Sequence, residues 1–91
     1  MLTEVERDRL AEANPEALLA DGFESAYIGI CRRFNTALAA YDYDKCINVL
    51  MNRDGMSSEE AEEFFEFNTL GAWVGEGTPV FVKIAEAGLR E

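Results

Sequence analysis

One corner in the middle of the chain limits what this sequence can fold into. It reads Asp54-Gly55-Met56-Ser57-Ser58-Glu59-Glu60. Ahead of it, residues 45–54 place Ile47, Leu50 and Met51 at helical spacing. Asp42 or Asp44 supplies the start, because a short carboxylate accepts from the free N–H groups of a first turn. Gly55 supplies the stop, since glycine enters the left-handed region without a Cβ clash. Ser57 with Glu60 three residues on is the capping-box pattern, and Met56 before it can staple onto Ala61. The corner therefore predicts a helix over 45–54 and a second over 58–69.

The second helix divides by face. Ala61, Phe64, Phe65 and Asn68 recur at i, i+3, i+4 and i+7, with Phe67 and Leu70 widening the stripe. These side chains are expected to face a sheet. Glu59, Glu62, Glu63 and Glu66 fall mostly opposite, as an exposed negative ridge. Residues 54–66 hold six acids and no base. Glu59 and Glu60 suit the first turn, where the helix dipole favours negative charge. Glu62, Glu63 and Glu66 gain little from the dipole and repel one another. A solvated face is the plain reading of such a run. An acidic docking surface is the functional one.

Upstream, Thr3 with Glu6 predicts a short, weakly packed helix over 3–13, whose apolar residues are only Leu2, Val5 and Leu10. Asn14 followed by Pro15 predicts a further turn of helix carrying Ala17, Leu18 and Leu19, ended near Asp21 and Gly22. Residues 23–34 switch to alternation, with Ala26, Ile28 and Ile30 on one side and Tyr27, Gly29 and Cys31 on the other. Gly29 within this strand predicts a bulge or a close backbone approach. Asn35 and Thr36 make a turn, and residues 37–41 return as the second strand of an antiparallel hairpin. The alanines there leave a helix as the alternative.

Downstream, residues 71–79 hold three glycines and a proline around Trp73, the single tryptophan, and read as a loop. Trp73 is expected to lie as a lid on the core. Residues 80–84 make a third strand, with Pro79 at its entry. The fold class is thus α+β: one small domain over 1–91, with a three-stranded antiparallel sheet formed by the hairpin and the closing strand. Two consecutive helices lie on one face, and a short N-terminal helix precedes them. The segments divide as 1–20 N-terminal and helical, 21–84 core, and 85–91 a frayed tail.

Charge and chemistry narrow the function. Net charge is −10, from eighteen acids against eight bases. Direct nucleic-acid binding needs clustered bases, and Arg32 with Arg33 is the one adjacent pair. An acidic body is instead steered to basic surfaces, including the nucleic-acid channels of other proteins. No apolar run approaches the ~20 residues of a membrane helix. The opening MLTEVERDRL is charged and gives no secretory signal, so a cytoplasmic location is expected. Cys31 and Cys46 read as reduced, packed thiols. Lys45 beside Cys46 would lower its pKa only if both faced one way, and adjacent helix residues diverge.

The chain has no histidine, which removes the usual general base. Gly75-Glu76-Gly77-Thr78-Pro79 lacks the lysine and helix start of a phosphate loop. Nothing in the residues calls for a cofactor. Asp42 and Asp44 form the best carboxylate pair, yet a hard cation needs six or more oxygens, and paired acids at a helix start are more often caps.

The strings DGFESAYIGICRRF, YDYDKC, RDGMSSEEA and FEFNTLGAWVGEGTPVF carry a resemblance that covers about residues 21–82. In them the chain resembles a family of small proteins of tailed bacteriophages and prophages that has no agreed activity. It departs from the family pattern over 35–40, where a turn with Gly or Pro is usual. The resemblance implies a phage origin and the cytoplasm of an infected bacterial cell, and it carries over no catalytic residue.

Two function classes follow. The first is a non-enzymatic accessory protein that binds a host or phage protein through the Glu59, Glu62, Glu63 and Glu66 ridge, for example to inhibit a defence or nucleic-acid-handling protein. Homodimerisation stays open. The second is a small-molecule or divalent-metal binder using Asp42, Asp44, Lys45, Trp73 and Glu76.

Overall fold

The structure, a computed structural model of the chain, describes residues 1–85. Its elements in order are α1 (Glu4–Ala13), a 3-10 turn (Glu24–Ala26), β1 (Tyr27–Arg33), β2 (Thr36–Asp42), α2 (Tyr43–Asp54), α3 (Ser58–Phe65), a π-helical turn (Glu66–Leu70) and β3 (Val80–Val82). The fold is α+β, with sheet order β1-β2-β3. Most of the tail expected at 85–91 lies outside the described residues.

The central corner forms as its residues dictate. The Asp42 side chain accepts from the Lys45 N–H and starts α2, and Gly55 stops it at φ 70°. The Ser57 and Glu60 side chains then accept from each other's backbone N–H groups, at 3.2 and 3.0 Å. Met56 packs against the core to which Ala61 belongs.

The sheet corrects one expectation. β1 and β2 pair antiparallel, but β3 runs parallel to β2, with Ala40 opposite Val80 and Asp42 opposite Val82. The sheet is therefore mixed. A parallel neighbour requires a crossover, and α2, α3 and the loop behind them form it. They carry the chain back to the end at which β2 began its pairing with β3. β2 is consequently central, and Ala37, Leu38, Ala39, Ala40 and Tyr41 are all buried. A strand covered on both faces reads as a continuous apolar run rather than an alternating one, which is why the alanines blurred its signal.

Gly29 does mark a bulge, where the register shifts between Tyr27 and Gly29. The shift overturns the expected division of faces. Tyr27 and Ile30 join the core, while Ile28 points out. Tyr27, Tyr41 and Phe81 lie opposite one another on the three strands, with ring centroids 5.6 Å apart at each step. Phe65 of α3 sits over this row and meets Phe81 at 5.0 Å, Tyr43 at 5.5 Å and Phe23 at 5.6 Å.

Residues 14–20 are not helical, contrary to the Asn-Pro signal. Tertiary partners take their polar groups instead. The Asn14 side chain donates to the Ala37 carbonyl and accepts from the Glu16 N–H. The Leu18 N–H donates to the Gly77 carbonyl, and the Ala20 N–H to the Tyr41 hydroxyl. Helix α1 is also better anchored than its sparse pattern suggested. Leu2 and Leu10 are buried, and the Leu2 N–H donates to the Glu24 carbonyl. The strand expected from residue 23 begins only at Tyr27, after the 3-10 turn.

Candidate functional site: the outer face of α3

The α-helix expected to reach residue 69 ends at Phe65, and the chain continues as a wider π turn in which the Gly71 N–H donates to the Glu66 carbonyl. Phe67 and Leu70, expected on the buried stripe, are exposed instead, Phe67 by 86%. Phe64 is 42% exposed, so only Ala61 and Phe65 of the expected face are buried. Asn68 is also outside, with its amide donating to the Phe64 carbonyl. Inserted π turns are frequent at functional sites. No periodicity in the sequence announced this one.

Phe64 and Phe67 face an open groove walled on one side by Gly55 and Met56 of the corner. Its rim carries Glu60, Glu62, Glu63 and Glu66. The expected ridge of Glu59, Glu62, Glu63 and Glu66 is exposed throughout, and three of its four members border the groove. Glu60, absent from that expectation, takes the place of Glu59 at the rim.

Two of these rim acids are held and two are free. Glu60 is fixed by the capping box. Glu66 accepts from the Tyr43 hydroxyl at 2.8 Å. The Tyr43 phenol is pushed up to about 12, first by burial, then by its bond to Glu66 and the charges of Glu66, Glu62 and Asp44. It therefore remains a donor. Among the described residues the ion pairs are Arg9 with Glu6, Arg53 with Asp54 and Lys83 with Asp44. None reaches Glu62 or Glu63. The face thus offers two exposed aromatic rings beside an acidic rim in which neither Glu62 nor Glu63 has an ion pair among the described residues, although Lys83 lies near enough to feel the charge of Glu62.

The alternative ligand set is engaged elsewhere. Asp42 is the α2 cap, and Asp44 pairs with Lys83 at 2.9 Å. Lys45 borders a second groove on α2 with Asn48 and Asn52. Neither groove takes in Asp42, Asp44, Trp73 or Glu76. Trp73 is 65% exposed and is no lid. Its loop is held without it: the Thr78 hydroxyl donates to the Gly75 carbonyl and accepts from the Val74 N–H, and Gly77 packs on the backbone of Glu16. Among the described residues no group of three or more metal-ligating side chains occurs. No helix there is long and apolar enough to cross a membrane.

Cys46 is fully buried, and its thiol is pushed up to about 12 by burial and then by Asp42. Lys45, its neighbour in sequence, does not lower it. Cys31 is half-buried, and both thiols are free.

The chain matches no protein-family model, no curated protein and no solved structure.

Proposed function

We propose that the protein is a phage accessory protein that works without catalysis, in the cytoplasm of the infected bacterial cell, by binding a host or phage protein through the outer face of α3. The groove carries this reading. Phe67 stands 86% exposed beside Phe64, and Glu62 and Glu63 have no partner among the described residues. Exposed aromatic rings supply binding energy when a partner buries them. Unpaired acids around them select a basic partner and speed the encounter. A net charge of −10 acts in the same sense over longer range. Proteins with basic nucleic-acid channels are the target class that fits, and inhibition would follow from occupying such a channel.

The experiment compares three immobilised proteins in lysate of infected cells: wild type, Glu62→Gln/Glu63→Gln/Glu66→Gln and Phe64→Ala/Phe67→Ala. The expected result is a protein retained by wild type and lost from both variants. A partner retained equally by all three places the contact elsewhere, and no retained partner overturns the reading.

A further inference from the structure

The tip of the β1-β2 hairpin breaks more local rules than any other part of the fold. Arg33 pairs with Thr36, leaving a two-residue turn of Phe34 and Asn35. Such turns favour Gly or Asn where φ is positive. Phe34 instead holds φ 55°, the one non-glycine among the described residues with a positive φ, and is 95% exposed. Arg32 and Arg33 beside it are exposed, and neither has an ionic partner among the described residues. A bulky ring kept in a left-handed turn and in water costs stability, and strain of this kind collects where a surface is used.

The tip and the α3 groove are complements. One presents an exposed aromatic ring beyond two cations without ion pairs, set on successive strand residues that face opposite sides, and the other two exposed aromatic rings bordered by acids. We infer that the hairpin tip of one copy docks into the α3 groove of a second copy, Phe34 against Phe64 and Phe67, and Arg32 and Arg33 against Glu62 and Glu63. This rests on the reading of that face as a docking surface and names its occupant. The two patches differ, so copies join head to tail or close reciprocally about a two-fold axis. The net charge of −10 opposes approach at long range, whereas the contact acts at short range. At ~0.15 M salt the Debye length is about 8 Å, which screens the bodies but not groups in contact. Association therefore passes through a maximum with salt. It is weak near 10 mM, strongest at intermediate salt, and lower again above about 0.5 M, where the ion pairs are screened too.

Sedimentation velocity on wild type, Arg32→Glu/Arg33→Glu and Glu62→Arg/Glu63→Arg tests this, with thermal melts to show that the variants fold. Wild type is expected to gain mass with concentration. Each variant alone carries like charges on both patches and is expected to stay monomeric. Their equimolar mixture pairs the acidic tip with the basic groove and the basic tip with the acidic groove, and is expected to restore association. A fourth variant, Phe34→Gly, separates docking from folding. It relieves the left-handed turn, so its melting midpoint rises, while association weakens about tenfold or more for loss of the central ring. A wild type that is monomeric at every salt concentration overturns the inference. So does a mixture that fails to associate, or Phe34→Gly associating like wild type. Loss of a captured partner from the α3 variants would still uphold the proposed function in those cases, so the two readings fail separately.

Discussion

The Phe65 and Phe81 rings cross edge to face with centroids 5.0 Å apart and planes at 89°. Phe65 closes α3, and Phe81 is the middle residue of the three-residue β3. This contact ties the crossover helices to the strand they deliver. β3 pairs with β2 at only three positions, so its placement depends on that ring more than on its ladder.

Truncating Phe65 tests this dependence. The side chain is fully buried and meets three other rings. Phe65→Ala leaves a cavity at their junction and is expected to cost about 3–5 kcal/mol, a large share of the stability of a domain this size. Urea denaturation with hydrogen exchange on residues 80–82 would show it. A loss under about 1 kcal/mol, or unchanged protection of β3, would mean that the strand is held by its backbone pairing alone.

Two glycines are expected to respond differently to the same substitution. At Gly55 a Cβ would meet nothing within 4 Å, so Gly55→Ala carries only the left-handed backbone penalty, about 1 kcal/mol. At Gly77 a Cβ would run into the Glu16 carbonyl and the Ala17 backbone, so the loop and residues 14–18 must separate. Gly77→Ala is expected to cost about 2–3 kcal/mol. Denaturation midpoints in the reverse order would contradict the contact between the loop and Glu16.

The difference between these glycines also marks what the sequence made legible. Gly55, Ser57 and Glu60 act through neighbours two to four residues away, so their pattern alone placed the corner. The bulge at Gly29 and the cap at Asp42 were readable for the same reason. Gly77 acts on Glu16, 61 residues away, and no local pattern shows that. Residues 14–20 carried a helix signal that the Ala37, Tyr41 and Gly77 partners override. The parallel setting of β3 depends on where two helices return the chain, not on residues 80–84. At the candidate site the acids were legible by counting, but the rings were not. The expected stripe took in Phe67, which lies two residues from Phe65 and so nearly opposite it on a helix, and the structure leaves it outside. The left-handed Phe34 lay hidden because local preference argues for another residue there.

Cys46 and Tyr43 give the fold an alkaline limit. Burial raises the Cys46 thiol from its ordinary 9.0 to about 12, and the Tyr43 phenol rises from 10.0 to about 12. The folded state keeps both protons where the unfolded chain releases them. Their full contribution to stability is present below pH 9 and is lost as pH rises from there toward about 12. Each group contributes a slope of about 1.4 kcal/mol per pH unit within its window. Urea midpoints should hold level up to about pH 9 and then fall, and Cys46→Ala should delay the onset to about pH 10. Both thiols are free, so reductant should leave the neutral-pH midpoint unchanged. A flat profile to pH 11 would contradict the burial of these groups.

The rim acids should separate by their partners. Glu62 and Glu63 lie within one helical turn of Glu59, Glu60 and Glu66, and like charges at i, i+3 and i, i+4 repel. Glu62→Gln/Glu63→Gln removes repulsion and breaks no contact among the described residues, so it should stabilise the fold by roughly a few tenths of a kcal/mol. Glu66 faces the same repulsion but also accepts from Tyr43 at 2.8 Å. A glutamine there keeps an acceptor oxygen and loses the charge that strengthens the bond. Glu66→Gln should therefore destabilise, by about 0.5–1 kcal/mol. Salt separates the two effects further. At about 0.5 M the Debye length is well under 8 Å, so the gain from Glu62→Gln/Glu63→Gln should vanish. The loss at Glu66 should persist, because that bond is partly buried and made at contact. Urea midpoints of the three proteins at low and high salt measure all of this. A Glu66→Gln protein as stable as wild type at both salt concentrations would show that the Tyr43 bond does not hold the carboxylate, leaving Glu66 as mobile a rim acid as Glu62.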